Sequence, residues 1–76
     1  MIRTLVVDDD PDVSLMHQLF IGAIEGFEVA GAVERGAVVE PFLAAHPVDL
    51  VLLDVHLPDM DGLGVLERLR AAGHAA

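Results

Sequence analysis

LVLLDVHLPDMDG, Leu50 to Gly62, holds a short apolar run, an aspartate at its end, and a loop closed by two further acids and a glycine. Extended to Val48–Val55 the run reads VDLVLLDV, the most apolar strand candidate in the chain. Near-continuous apolar residues suit a strand buried on both faces of a helix-covered parallel sheet, so this strand is expected at the sheet centre. Leu57 to Gly62 is expected to be a loop. From Gly62 onward Leu63, Leu66 and Leu69 mark one face of a helix, with Arg68 and Arg70 in its last turns and Gly73 as its stop.

Toward the amino end the same alternation of short apolar and longer amphipathic runs repeats. Ile2 to Val7 reads as a first strand, ended by Asp8 and Asp9. Asp10 offers a side-chain oxygen as N-cap, Pro11 has no N–H to lose at the first helical position, and Asp12 complements the helix dipole. A helix is expected over about 11 to 25, with Val13, Met16, Phe20, Ala23 and Ile24 as its apolar face and Gly26 as its stop. FEVAGAV, Phe27 to Val33, is the second strand. A second helix is expected between about Arg35 and His46, where Pro41 either kinks it or delays its start to near Glu40. The βαβαβα order gives an α/β fold with a parallel sheet.

Composition bounds the function. The 76 residues make one small domain at most. Four arginines, no lysine and thirteen acids leave a charge of −9, which argues against nucleic-acid binding by this segment. Without cysteine there is no disulfide framework or thiolate metal site. A 54% hydrophobic content argues against a disordered tail. No apolar stretch approaches the ~18 residues of a membrane span, and the reading is a soluble, cytoplasmic protein without membrane contact.

The aspartates fall into two groups. Asp8, Asp9, Asp10 and Asp12 follow strand one, Asp54, Asp59 and Asp61 end or follow strand three, and only Asp49 lies outside. Two right-handed crossovers that reverse direction after the first give strand order 2-1-3, setting strands one and three about 4.8 Å apart. Asp8, Asp9 and Asp54 then converge at the carboxyl edge of the sheet, at the switch in strand order. Converging carboxylates repel, so a cation is expected. Hard oxygen ligands favour Mg²⁺, whose remaining water positions can be exchanged for phosphoryl oxygens. Such a site suits phosphoryl transfer onto a carboxylate.

In order and spacing, the acidic pair Asp8-Asp9, a second strand ending near Val33, LVLLD ending at Asp54, and LPDMDG from Leu57 to Gly62 resemble the receiver domains of two-component response regulators. The resemblance covers the whole chain and implies part of a flavodoxin-like, doubly wound parallel sheet: three strands in order 2-1-3 with three helices. It implies Asp54 as phosphoacceptor, Asp9 as a direct Mg²⁺ ligand, Asp8 as a direct or water-mediated ligand, and the backbone carbonyl of His56 as a further ligand. Pro58 and Gly62 would shape the loop, and the phosphoryl donor would be a sensor histidine kinase. His17, GFEVAG and LLDVHLPDMDGL are similar to regulators paired with citrate or dicarboxylate sensors, which usually carry a DNA-binding helix-turn-helix beyond the receiver. In that family a fourth strand ends in Thr or Ser, a fifth ends in Lys, and two more helices follow. Here 22 residues follow Asp54, and Thr4 and Ser14 come too early to supply the hydroxyl. Residues 1–76 therefore read as the amino-terminal β1-α1-β2-α2-β3-α3 part of a receiver, a regulatory domain rather than an enzyme. Phosphorylation is expected to be slow or absent and signalling impaired.

Other readings of the same residues are weaker. The His56 ring could ligate a metal, but a lone loop histidine is usually exposed. His17, His46 and His74 share no zinc spacing and read as surface residues. Asp59-x-Asp61-Gly62 resembles part of an EF-hand loop, yet the alignment puts Leu57 and Arg68 at ligand positions. Phe20, Phe27, Phe42 and the three methionines read as core and loop packing. An aspartyl-phosphate phosphohydrolase would need a second acid where His56 stands. A non-catalytic, oligomerising module is the stronger alternative, because Leu50 to Leu53 would form an open edge and apolar surface beside Val13, Met16 and Phe20 would be exposed, favouring a homodimer or larger assembly.

Overall fold

The computed structural model describes residues 1–74; Ala75 and Ala76, the last two residues of the domain reading, lie outside the described residues. The elements are β1 (Ile2–Val7), α1 (Pro11–Ala23), β2 (Phe27–Val33), α2 (Gly36–Ala45), β3 (Leu50–Leu53) and α3 (Gly62–Ala71). All pairing is parallel and the strand order is β2-β1-β3. β1 pairs with β2 from Ile2↔Phe27 to Val7↔Val33, with a register shift between Thr4 and Leu5, and with β3 from Thr4↔Leu50 to Val7↔Leu53.

The sheet centre is β1, not the more apolar β3. Pairing on both sides leaves Thr4 to Val7 fully buried, whereas β3 has four residues and exposes Leu50 and Leu52. Hydropathy alone cannot distinguish these strands, because the centre is set by which strand has two neighbours. Leu5 and Val7 join Val39, Leu57, Val65 and Leu69 in the core beneath α2 and α3, flanked by Phe42, Val51, Leu53 and Met60. Each such buried side chain contributes about 1.5–3 kcal/mol relative to exposure. Thr4 and Val6 point to the opposite face, where α1 packs against β1 and β2.

α1 begins as its sequence requires, with Asp10 accepting from the N–H groups of Asp12 and Val13 and Pro11 following. Its buried face differs from the expected one. Ser14 and Ile21 are buried and His17 and Gln18 half-buried, a stripe at helical spacing, while Met16, Phe20 and Ile24 are largely exposed. Apolar residues occur all round this helix, so spacing selects no single face, and the sheet takes the stripe that carries three polar side chains. Gln18 Nε2 donates to Ser14 Oγ at 3.1 Å, which partners both groups beneath the helix.

α2 starts at Gly36 and runs through Pro41, so the proline does not delay it to Glu40. Pro41 is exposed, and the lost N–H bond falls on the solvent side. α3 buries Val65 and Leu69 rather than Leu63 and Leu66. Gly73 closes it at φ +81, as Gly26 (φ +88) follows α1, both in the left-handed region that glycine enters without cost. His74 is not a free surface group: its Nε2 lies 3.0 Å from Glu40 Oε1, tying the end of α3 to α2. Phe42 and Met60 pack on the core, whereas Phe20, Met16 and Met1 are exposed.

Candidate functional site

Two backbone hydrogen bonds extend the sheet by one residue and place the acids. Asp8 N donates to Val33 O at 3.1 Å, and Asp54 N donates to Val7 O at 2.9 Å. Asp8 and Asp54 thus sit side by side at the carboxyl ends of adjacent parallel strands. With Asp9 they offer carboxylate oxygens that all lie within 4.8 Å of one another. Asp8 is buried, Asp54 half-buried and Asp9 exposed, giving the cluster a rigid floor and an open rim. The expected convergence is present.

The neighbouring hydrogen bonds hold two of these carboxylates in place. Asp10 N donates to Asp8 Oδ1 at 3.0 Å, and His56 N donates to Asp54 Oδ1 at 3.1 Å. Asp10 and Asp12 do not join the cluster, because Asp10 caps α1 and Asp12 sits in its first turn. Beyond Asp54 the chain turns tightly: His56 opposes Asp61 in an isolated antiparallel bridge, and Gly62 N donates to Val55 O at 3.0 Å. A Cβ at Gly62 would lie 3.0 Å from Val55 Cα and 3.2 Å from Asp54 O, so glycine lets the loop close against the strand end. Pro58 is exposed beside the buried Leu57, which anchors the loop in the core. Asp61 Oδ1 accepts from Gly64 N at 2.7 Å and caps α3.

Sequence reasoning missed the role of Asp59, whose two oxygens accept from Gly36 N and Ala37 N, both at 2.8 Å. The signal was available: Arg35 at the cap position of α2 offers no acceptor, so the helix needs one from elsewhere. The Ala37 N–H above all, with the Gly36 N–H, holds the Asp59 carboxyl below the usual aspartate range against an opposing effect of burial.

Among the described residues no Arg or His side chain lies within ion-pair distance of Asp8, Asp9 or Asp54; Arg3 pairs with Glu28, and the His74 ring is hydrogen-bonded to Glu40. The donor set is all oxygen and anionic, which suits a hard divalent cation. Opposite ligands on Mg²⁺ at 2.0–2.1 Å stand about 4.2 Å apart, so small side-chain rotations bring oxygens spread over at most 4.8 Å onto one ion. Elsewhere, Asp12, Leu15, Met16, Leu19 and Phe20 line an open groove of about 460 Å³ on the outer face of α1. It does not include the acidic cluster. No helix among the described residues is long and apolar enough to cross a membrane.

The family model of the response regulator receiver domain matches residues 4–76. The transcriptional regulatory protein MalR of Bacillus subtilis is 36% identical over 75 residues, covering 99% of this chain and 32% of MalR. A probable C4-dicarboxylate response regulator, DctR of Priestia megaterium, is 36% identical over 70 residues, covering 92% of this chain and 31% of DctR. The chain thus spans about a third of the length of these relatives. Among solved structures, the MaeR response regulator bound to beryllium trifluoride superposes with a TM-score of 0.91 at 33% identity, over all of this chain and 62% of that one. A complex of histidine kinase ThkA with response regulator TrrA gives 0.82 at 32% identity, over 93% of this chain and 60% of that one. With the strand order, the acid-bearing strand ends and the family match in agreement, the chain belongs to the response regulator receiver domains of two-component systems.

Proposed function

We propose that Asp54 accepts a phosphoryl group from a sensor histidine kinase, with Mg²⁺ held by Asp8, Asp9, Asp54 and the His56 carbonyl. The observation that carries this reading is the gathering of three carboxylates within 4.8 Å at the ends of β1 and β3, with no Arg or His side chain among the described residues at ion-pair distance from them. The His56 N–H orients the Asp54 carboxylate through Oδ1, leaving the other oxygen to attack phosphorus. As that O–P bond forms, the donor's P–N bond breaks and its electron pair stays on the imidazole. Bound Mg²⁺ would supply positive charge to the phosphoryl oxygens. Asp8, held by the Asp10 N–H and buried, sets the floor of the cation site, while exposed Asp9 completes it from the rim. Gly62 lets the loop fold against Asp54, and Pro58, with its fixed φ, would shape the same loop.

In this reading residues 1–76 are the amino-terminal part of a cytoplasmic receiver that acts as a regulatory domain in transcription control and is not itself an enzyme. Contact with DNA would belong to an output domain outside this segment. Similarity to DctR, a probable C4-dicarboxylate response regulator, supports a dicarboxylate-responsive pathway. The test is mass spectrometry after incubation with Mg²⁺ and a small phosphodonor. The adduct is expected on Asp54 and dependent on Mg²⁺; an adduct on another residue, or one formed equally well without Mg²⁺, contradicts the reading.

A second reading, association of copies, is favoured by the exposed Leu15, Met16, Leu19 and Phe20 on α1 and Leu50 and Leu52 on β3. Light scattering after size-exclusion chromatography tests it. A concentration-dependent dimer is expected, and a monomer at every concentration contradicts it.

A further inference from the structure

The loop that carries the site residues also supplies the missing end of another helix. Arg35 occupies the cap position of α2 without a side-chain bond, and the first two helical N–H groups, of Gly36 and Ala37, would be orphaned. They donate instead to the two oxygens of Asp59, each at 2.8 Å, across 23 and 22 residues of sequence. The next residue along the loop, Met60, packs against Gly36: a Cβ there would lie 2.4 Å from Met60 Cγ. The segment between Asp54 and α3 is therefore bolted to α2 by one carboxylate and one apolar contact. On its other side the same segment donates the His56 N–H to Asp54 Oδ1 and closes through Gly62 N to Val55 O.

We propose that Asp59 is a positioning residue for the Asp54 site: by capping α2 from the β3–α3 loop, it fixes where His56 stands relative to Asp54. The proposal rests on the reading of Asp8, Asp9 and Asp54 as a Mg²⁺ site. Asp59 touches neither the cluster nor any reacting atom and acts only through the backbone between Asp54 and Met60. Partners that orient metal ligands typically change affinity by 10–100-fold when lost. Because the effect here passes through several residues of loop, about the lower end of that range is expected.

The experiment is a Mg²⁺ titration of the full chain followed by amide NMR, for wild type, Asp59→Ala, Asp59→Asn and Asp54→Asn, with melting temperatures measured in parallel. Asp59→Ala is expected to weaken Mg²⁺ binding about tenfold and to shift the His56 amide resonance before any metal is added. Asp59→Asn keeps the shape and one acceptor oxygen, so it should recover part of the affinity and the His56 shift; it also carries the test if Asp59→Ala does not fold. If both Asp59 variants melt earlier yet bind Mg²⁺ as wild type does, with the His56 amide unmoved, Asp59 is only a helix cap and the proposal is overturned. If wild-type binding is itself absent or indifferent to Asp54→Asn, the reading of the site fails and the proposal falls with it.

Discussion

Gly36→Ala should destabilise the fold although alanine is the better helix former. The backbone at Gly36 is outside the left-handed region, so alanine can adopt it, and the substitution alone would stabilise by about 0.4–1 kcal/mol through the unfolded chain. The new Cβ, however, would lie 2.4 Å from Met60 Cγ, 2.8 Å from Met60 Sδ and 2.7 Å from Val65 Cγ2. Met60 is unbranched and can retreat, but Val65 is 1% exposed, β-branched and packed between α3 and the sheet. Overpacking of this kind costs about 1–3 kcal/mol. The balance is a net loss of about 1 kcal/mol, or roughly 4–8 °C in melting temperature for a domain of this size. Gly22→Ala in the last turn of α1 is the matched comparison, since nothing lies within 4 Å of its Cβ position and its backbone is helical. It should stabilise by about 0.4–1 kcal/mol. Far-UV circular dichroism during urea and thermal unfolding measures both. If Gly36→Ala gains stability as Gly22→Ala does, the close packing of α2 against the loop after Asp54 is wrong.

Two further outcomes follow from packing and charge. Leu5→Ala empties a fully buried position in the central strand and should cost about 2–5 kcal/mol, a large share of the roughly 4–11 kcal/mol available to a domain this short; urea unfolding reads it directly. Asp59 has a folded-state pKa below its ordinary value of 3.8, so its contribution is complete above that value and is lost as pH falls through the lower folded value. The stability difference between wild type and Asp59→Asn should accordingly be constant above pH 3.8 and narrow below it, measured by urea midpoints across the acid range.

Local chemistry was legible wherever neighbouring residues decide it. Asp10 and Pro11 announced the start of α1, Gly26 and Gly73 followed α1 and α3, and the acids at the ends of two apolar runs met once strand order 2-1-3 was assumed. What the sequence concealed was set by tertiary partners. α1 carries Leu15, Met16, Leu19 and Phe20 outward and turns Ser14, His17, Gln18 and Ile21 to the sheet, a choice no periodicity makes when apolar residues circle the helix. α3 buries Val65 instead of Leu63 and Leu66 because Gly36 opens space for it beneath α2. Pro41 was tolerated because its side of α2 faces solvent. Asp59 looked like one more acid beside the site until the uncapped end of α2 was brought to it across 22 residues.

That Asp8, Asp9 and Asp54 act as one cation site is tested most directly by a Mg²⁺ titration of the wild-type chain beside Asp54→Asn, followed by the amide resonances of Asp8, Asp9, Asp54 and His56. Saturable shifts at all four are expected in wild type, with clearly weaker binding once the Asp54 carboxylate is lost. Resonances that ignore Mg²⁺, or an affinity unchanged by Asp54→Asn, would contradict the assignment.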